Sequence, residues 1–245
     1  MPHKEYIREV ENADNAYLFI HGIIGSPDHF KKLTELVPND SSVYNILLDG
    51  HGKNIKDFAK SSMKKWEDQV ENMMIYLNRK YKNIVIIGHS MGTLLAIETA
   101  LKYPQKIKRL FLLSVPVKVA VKPMAVSDEA KVFFDKIGTN DITANAAKNG
   151  HSIKQEKHLL KYFSFIPRYI ELFLKINETD KQLSRLIVPA IAFQSEKDEY
   201  VSPTSYDMLK EYPIFETILL KNSYHNYYSE EDFLIIKEKF KEIIL

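Results

Sequence analysis

The pentapeptide Gly88-His89-Ser90-Met91-Gly92 sets one serine between two glycines. The apolar run "NIVIIG" (83–88) leads into it and the helical pattern "TLLAIETALK" follows. In such a strand–turn–helix setting, G-x-S-x-G thrusts the serine hydroxyl out of the fold as a nucleophile. Small residues are needed at both ends, because the serine backbone is strained and neighbouring main chain lies close. A hydroxyl is a poor nucleophile at neutral pH, so a base must take its proton. Of the eight histidines, His225 in "KNSYHNYY" comes directly after the apolar run "FETILL" (215–220) and before the final helical pattern. Reactive groups of an open parallel sheet gather at the carboxyl ends of its strands, which selects His225. His3, His29, His151 and His158 lack that placement.

The base needs a carboxylate to hold its tautomer and stabilise the imidazolium. Glu196, Asp198 and Glu199 compete in "QSEKDEYVSP", which follows the run "IVPAIAF". The pattern Asp198-x-x-Val201-x-Pro203 favours Asp198, with Glu196 and Glu199 read as solvated neighbours. The chain order Ser90, Asp198, His225 distinguishes this arrangement from other serine-hydrolase folds. Two N–H donors are required for the oxyanion. Met91 opens the helix after the serine and supplies one. Ile23, in "HGIIGSP" after the run "AYLFI" (16–20), supplies the second, with Gly22 letting the backbone turn. Substrate contacts are expected from Gly22, Ile24 and His89 near the serine. His51 in "DGHG" reads as structural or pocket-lining.

These residues need a scaffold. Short runs rich in Ile, Val, Leu and Phe (16–20, 43–48, 83–88, 109–114, 187–194 and 215–220) suit strands buried on both faces of a parallel sheet. Helical patterns lie between them. Trp66, Val70, Met73, Leu77 and Tyr81 share one helical face, and Ser229 with Asp232 reads as an N-cap. Alternation of this kind implies right-handed crossovers and an α/β sheet. It breaks between residues 118 and 185, where no strand is expected and aromatic residues are frequent. That segment reads as a helical cap inserted into a core of residues 1–117 and 186–245. Pro167 opens one of its helices, with Tyr169, Ile170, Phe173 and Leu174 at helical spacing. Phe133, Phe134, Phe163, Phe165 and Phe173 are candidates for an apolar pocket wall, and Phe134, Phe163 and Phe165 for substrate contact.

Bulk properties exclude several alternatives. With 245 residues, 45% apolar residues and a net charge of +2, the composition is that of a soluble globular chain without a nucleic-acid partner. The absence of cysteine rules out disulfides and a thiolate nucleophile. Phosphate-binding glycine motifs and H-E-x-x-H are lacking, so neither a nucleotide cofactor nor a metal is expected. No apolar run reaches the ~20 residues needed to span a bilayer. The charged start "MPHKEYIREV" is unlike a secretory signal, and a cytoplasmic location is expected.

"HGIIGSP", "DGHG", "GHSMG", "LLSVP", "EKDEYVSP" and "NSYHN" occur in the order found in the α/β-hydrolase superfamily. The chain resembles, within it, the small bacterial carboxylesterases and monoacylglycerol lipases. One position departs: Asn226 follows His225 where relatives commonly carry an apolar residue. The resemblance implies cofactor-free hydrolysis of a small carboxylic ester through an acyl-serine, by a monomer or homodimer with no stable membrane insertion. Acyl transfer or peptide hydrolysis by the same triad, or a non-catalytic receptor retaining the pocket, are the alternatives.

Overall fold

The computed structural model describes residues 3–244. Seven strands form one sheet among the described residues, in the order β1-β3-β2-β4-β5-β6-β7. They are β1 (Tyr6–Arg8), β2 (Asn15–Ile20), β3 (Ser42–Ile46), β4 (Asn83–His89), β5 (Ile107–Leu113), β6 (Ala190–Ser195) and β7 (Phe215–Leu220). All neighbours are parallel except β1, which pairs antiparallel with β3. β1 is not apparent from the sequence, because a short edge strand buries little and shows no apolar run. β6 starts three residues later than the apolar run at Ile187 suggests. Pro189 cannot donate to a ladder, and Ile187 is exposed.

Period-two alternation explains the two cores. Leu18, Ile86 and Leu112 face one side of the sheet, with Trp66 and Leu95 packed on them. Phe19, Ile87 and Phe111 face the other, against Phe30 and Phe240. The helices are α1 (Lys31–Thr34), α2 (Ile55–Ala59), α3 (Met63–Lys80), α4 (Met91–Lys102), α5 (Pro123–Phe133), α6 (Ile142–Gly150), α7 (Ile166–Asp180), α8 (Thr204–Lys210) and α9 (Glu230–Glu242). On α3 Met74 is buried, as is Met63 at its start, whereas the expected Met73 is only half-buried. Ser229 caps α9 by accepting from the Asp232 N–H, as its spacing predicts.

Three helices, α5 to α7, occupy the interval between β5 and β6. α7 buries a stripe adjacent to the one its aromatics mark. Arg168, Leu172, Lys175, Ile176 and Thr179 are buried, whereas Ile170 and Leu174 are exposed. Polar residues explain the choice. Lys175 Nζ meets Glu67 Oε1 of α3 at 2.6 Å and also pairs with Glu98 of α4. Arg168 Nη1 donates to the Ala59 carbonyl at 2.6 Å, and Glu171 accepts from the Met63 N–H at 2.9 Å. These bonds fix the helix over α2, α3 and α4.

Candidate active site

The chain leaves β2 toward β3 on one side, and the later strands build outward from β4 on the other. The carboxyl ends of β2 and β4 therefore border the switch point of the sheet, where open α/β folds bind ligands. Ile20 is in register with Gly88, so the loop after β2 lies beside the turn after β4. Ser90 sits at the apex of that turn with φ 52° and ψ −122°, a conformation costly for a residue with a side chain. Close packing alone also demands glycine here. A Cβ on Gly92 would lie 2.0 Å from the Ile20 carbonyl oxygen, so this glycine lets the helix approach the strand while Ser90 carries the strain.

Three side chains from three strand ends meet. His225 Nε2 is 3.1 Å from Ser90 Oγ. Its Nδ1 is 2.9 Å from Asp198 Oδ2 and 3.1 Å from Oδ1. With the Asp198 carboxylate at Nδ1, the neutral ring carries its proton there and leaves Nε2 free to accept from the serine hydroxyl. Asp198 is fixed in turn by the Tyr200 and Val201 N–H groups, which donate to Oδ1 at 2.9 and 2.8 Å. Burial opposes the charge on Asp198, but His225 and these donors hold its carboxyl below the usual range.

Glu199 departs from the sequence expectation. Glu196 is exposed as expected, but Glu199 is only 3% exposed, and its Oε2 accepts from the His225 N–H at 3.0 Å. Burial pushes the Glu199 carboxyl up. The His225 carbonyl is held as well, by His89 Nε2–H at 3.0 Å. His89 borders the cavity, but this bond and stacking on His29 commit its ring to positioning.

The loop after β2 is held by His21. The Leu48 N–H donates to His21 Nε2 at 3.1 Å, so Nδ1 carries the proton and donates to the Gly22 carbonyl at 2.8 Å. Burial keeps His21 neutral by lowering its pKa. Gly22 does not adopt a positive φ, contrary to the expected reason for glycine there. A Cβ would lie 3.0 Å from Ser90 Cβ, so what it supplies is close approach. Ile24 takes the positive φ instead, 52°, and its carbonyl accepts from the Ser152 N–H at 2.8 Å. Met91 is the first residue of α4, so its N–H has no acceptor within the helix. His51 is buried against His21, Phe58 and Trp66, a structural position.

A cavity of about 430 Å³ opens over Ser90, bordered by Gly22, Ile23, Ile24 and by residues of the 118–185 segment. Among the proposed wall aromatics, Phe133, Phe165 and Phe173 border it. Phe134 and Phe163 do not: they are 59% and 64% exposed. On α5, Val132 and Phe133 turn toward the cavity, which carries Phe134 past the helix end and outward. Phe163 lies in a short 3-10 turn whose Tyr162 and Phe165 take the inward positions. Tyr169, one of the aromatics of the segment, also borders the cavity, as do Glu129, His151 and Tyr200, which sequence reasoning did not identify. Only Asn226, on the same wall, carried a signal, its polarity beside His225.

Comparison with known proteins gives a consistent result. The family model described as "Serine aminopeptidase, S33" matches residues 11–232. The thermostable monoacylglycerol lipase of Bacillus sp. (strain H-257) is 25% identical over 225 residues, covering 88% of this chain and 84% of that protein. Among solved structures, one from work on the metagenome-derived lipolytic enzymes LipS and LipT superposes with a TM-score of 0.74 at 19% identity, covering 98% of this chain and 96% of that one. The Paleococcus ferrophilus monoacylglycerol lipase does so with a TM-score of 0.69 at 15% identity, covering 99% and 98%. No helix among the described residues is long and apolar enough to cross a membrane.

Proposed function

This chain belongs to the serine aminopeptidase S33 family of α/β-hydrolases, and from that premise we propose that it is a serine carboxylic-ester hydrolase of the carboxylesterase or monoacylglycerol lipase type. The observation that carries the reading is the unbroken chain of hydrogen bonds from Ser90 through His225 to Asp198, beneath a largely apolar cavity. Ser90 Oγ attacks the ester carbonyl while His225 Nε2 takes its proton. The Ile23 and Met91 N–H groups receive the developing oxyanion. Collapse of the tetrahedral intermediate breaks the bond to the alcohol, and His225 returns the proton to the departing oxygen. Water, activated by the same histidine, then releases the acid and restores Ser90. The segment 118–185 acts as a cap that encloses the acyl chain. No step requires a cofactor.

A fluorophosphonate probe tests the nucleophile, together with p-nitrophenyl esters from acetate to palmitate. The expected outcome is one adduct, on Ser90, and turnover of short to medium chains. Ser90→Ala should lose on the order of 10⁵ to 10⁶ in kcat while remaining folded. A Ser90→Ala enzyme that keeps a few per cent of wild-type activity would remove Ser90 from the role. Preferential cleavage of aminoacyl amides would replace the esterase reading with a peptidase one.

A further inference from the structure

The loop from Gly22 to Gly25 carries the Ile23 N–H, and among the described residues no acceptor meets that N–H. The core fastens the loop at its two ends. The Gly22 carbonyl accepts from His21 Nδ1–H at 2.8 Å and from the Gly25 N–H at 3.1 Å, and Ser26 caps the short helical turn Pro27–Phe30. Between those ends, among the described residues, one main-chain group of Ile23 and Ile24 is bonded, the Ile24 carbonyl. Both of its donors belong to Ser152: the N–H at 2.8 Å and Oγ at 3.2 Å. Ser152 is 128 residues away in sequence, between β5 and β6, and only 4% exposed.

Ile24 has a φ of 52°, in the left-handed region, where a β-branched side chain crowds the main chain. Such conformations persist where the surrounding structure over-determines them. Ser152 is itself well fixed for that task. Ile153 is buried in the same core as Leu18 and Leu112, and the Lys154 N–H donates to the Lys53 carbonyl at 2.8 Å. On the other side, His151 Nε2 lies 3.2 Å from Glu129 Oε1.

We infer that Ser152 is a positioning residue for the oxyanion site. It holds Ile24 in the left-handed conformation and thereby keeps the adjacent Ile23 N–H aimed at the carbonyl oxygen of the ester. Without that hold the turn relaxes toward negative φ, and the main chain bearing the Ile23 N–H moves with it. The inference rests on the ester-hydrolase reading and gives the segment 118–185 a second part in it. Even an ester too short to reach the aromatic wall then depends on the segment for its rate. Loss of the brace lowers the rate alike for every acyl length, whereas loss of a wall residue changes the preferred length. Asp198 and His225 are untouched, so the acid limb of the pH profile keeps its midpoint.

Two variants grade the loss. Ser152→Ala removes the Oγ bond, and Ser152→Pro removes the N–H as well. His151 has φ −71° and ψ 119°, the extended backbone that suits a following proline. On p-nitrophenyl acetate and octanoate alike, kcat/KM should fall about threefold in Ser152→Ala and about 30-fold or more in Ser152→Pro, the scale of a displaced donor. The pH midpoint should not move. An alkyl trifluoromethyl ketone reports on the oxyanion directly: Ser90 Oγ adds to its carbonyl carbon, His225 takes the hydroxyl proton, and the carbonyl oxygen takes the negative charge. Its inhibition constant should weaken by the same factor as kcat/KM. Where Ser152→Pro does not fold, by far-UV circular dichroism, Ser152→Ala carries the test, measured with and without Ile24→Gly. Glycine takes a φ of 52° without strain, so the loss from Ser152→Ala should shrink in that background. Four results would each overturn the inference: full activity in folded Ser152→Pro, a loss confined to octanoate, an unmoved inhibition constant, or equal Ser152→Ala losses in both backgrounds. With any of these, wild-type turnover of p-nitrophenyl acetate and a fluorophosphonate adduct on Ser90 would still uphold the hydrolase reading. A wild type that shows neither removes that reading and this inference together.

Discussion

His225 is held at four points: by Ser90 and Asp198 at its ring nitrogens, by Glu199 at its N–H and by His89 at its carbonyl. Burial by itself would lower its pKa, but Asp198 first and Glu199 second outweigh that effect and raise it. In the proposed mechanism His225 takes a proton only when neutral, so activity should fall as pH drops through a midpoint above the ordinary histidine value of about 6.5. Glu199→Gln retains an acceptor for the His225 N–H and removes the charge, so this acid limb should move to lower pH. Glu199→Ala should also lose about tenfold in kcat, because the histidine main chain is released. Profiles of kcat/KM against pH check both variants. A Glu199→Gln curve that superimposes on the wild type would leave Glu199 a packing role only. Asp198→Asn should lose about 10⁴-fold in kcat, since the wrong tautomer would then be favoured.

Between β5 and β6, individual helices divide their side chains between the cavity and the solvent. Phe133 and Phe173 border the cavity, whereas Phe134 and Phe163 stand in solvent. Trimming Phe133 or Phe173 to alanine should move the preferred acyl length upward, each additional buried methylene contributing about 0.8 kcal/mol. Phe134→Ala and Phe163→Ala should leave the preference where it is. Rates on the p-nitrophenyl ester series separate these outcomes. An equal shift in all four variants would mean that the wall responds to the packing of the whole segment.

The molecule as a whole joins this segment to the sheet through a shared core. Ile153, Phe165, Leu172 and Ile176 belong to the same buried cluster as Leu18 and Leu112. The single tryptophan, Trp66, packs against Phe58, which meets Phe165 of the segment. Trp66 fluorescence therefore reports on the junction and far-UV circular dichroism on the whole chain. Both should give one coincident urea transition. Lys175→Met should lower its midpoint by about 2 kcal/mol of stability. That is less than for a fully buried pair, because Glu67 and Glu98 keep part of their access to water. Two separated transitions would show that the segment unfolds independently.

Much of this was legible in the chain. The parallel strands could be read because burial on both faces demands continuous apolar runs, and the positions of Ser90, Asp198 and His225 followed from a motif and from strand ends. Those readings depend on local periodicity and chain order, which a linear sequence carries. Side-chain facing within the 118–185 segment was not legible. Its helices are apolar on more than one side, and α7 is oriented by Lys175 and Arg168 finding partners more than 50 residues away in sequence. The burial of Glu199, the reason for glycine at position 22, and the bonds from Ser152 to the Ile24 carbonyl arise from contacts between distant segments. Only tertiary packing decided them, because a carboxylate beside a motif looks the same in sequence whether its partner is water or the main chain of a histidine 26 residues on.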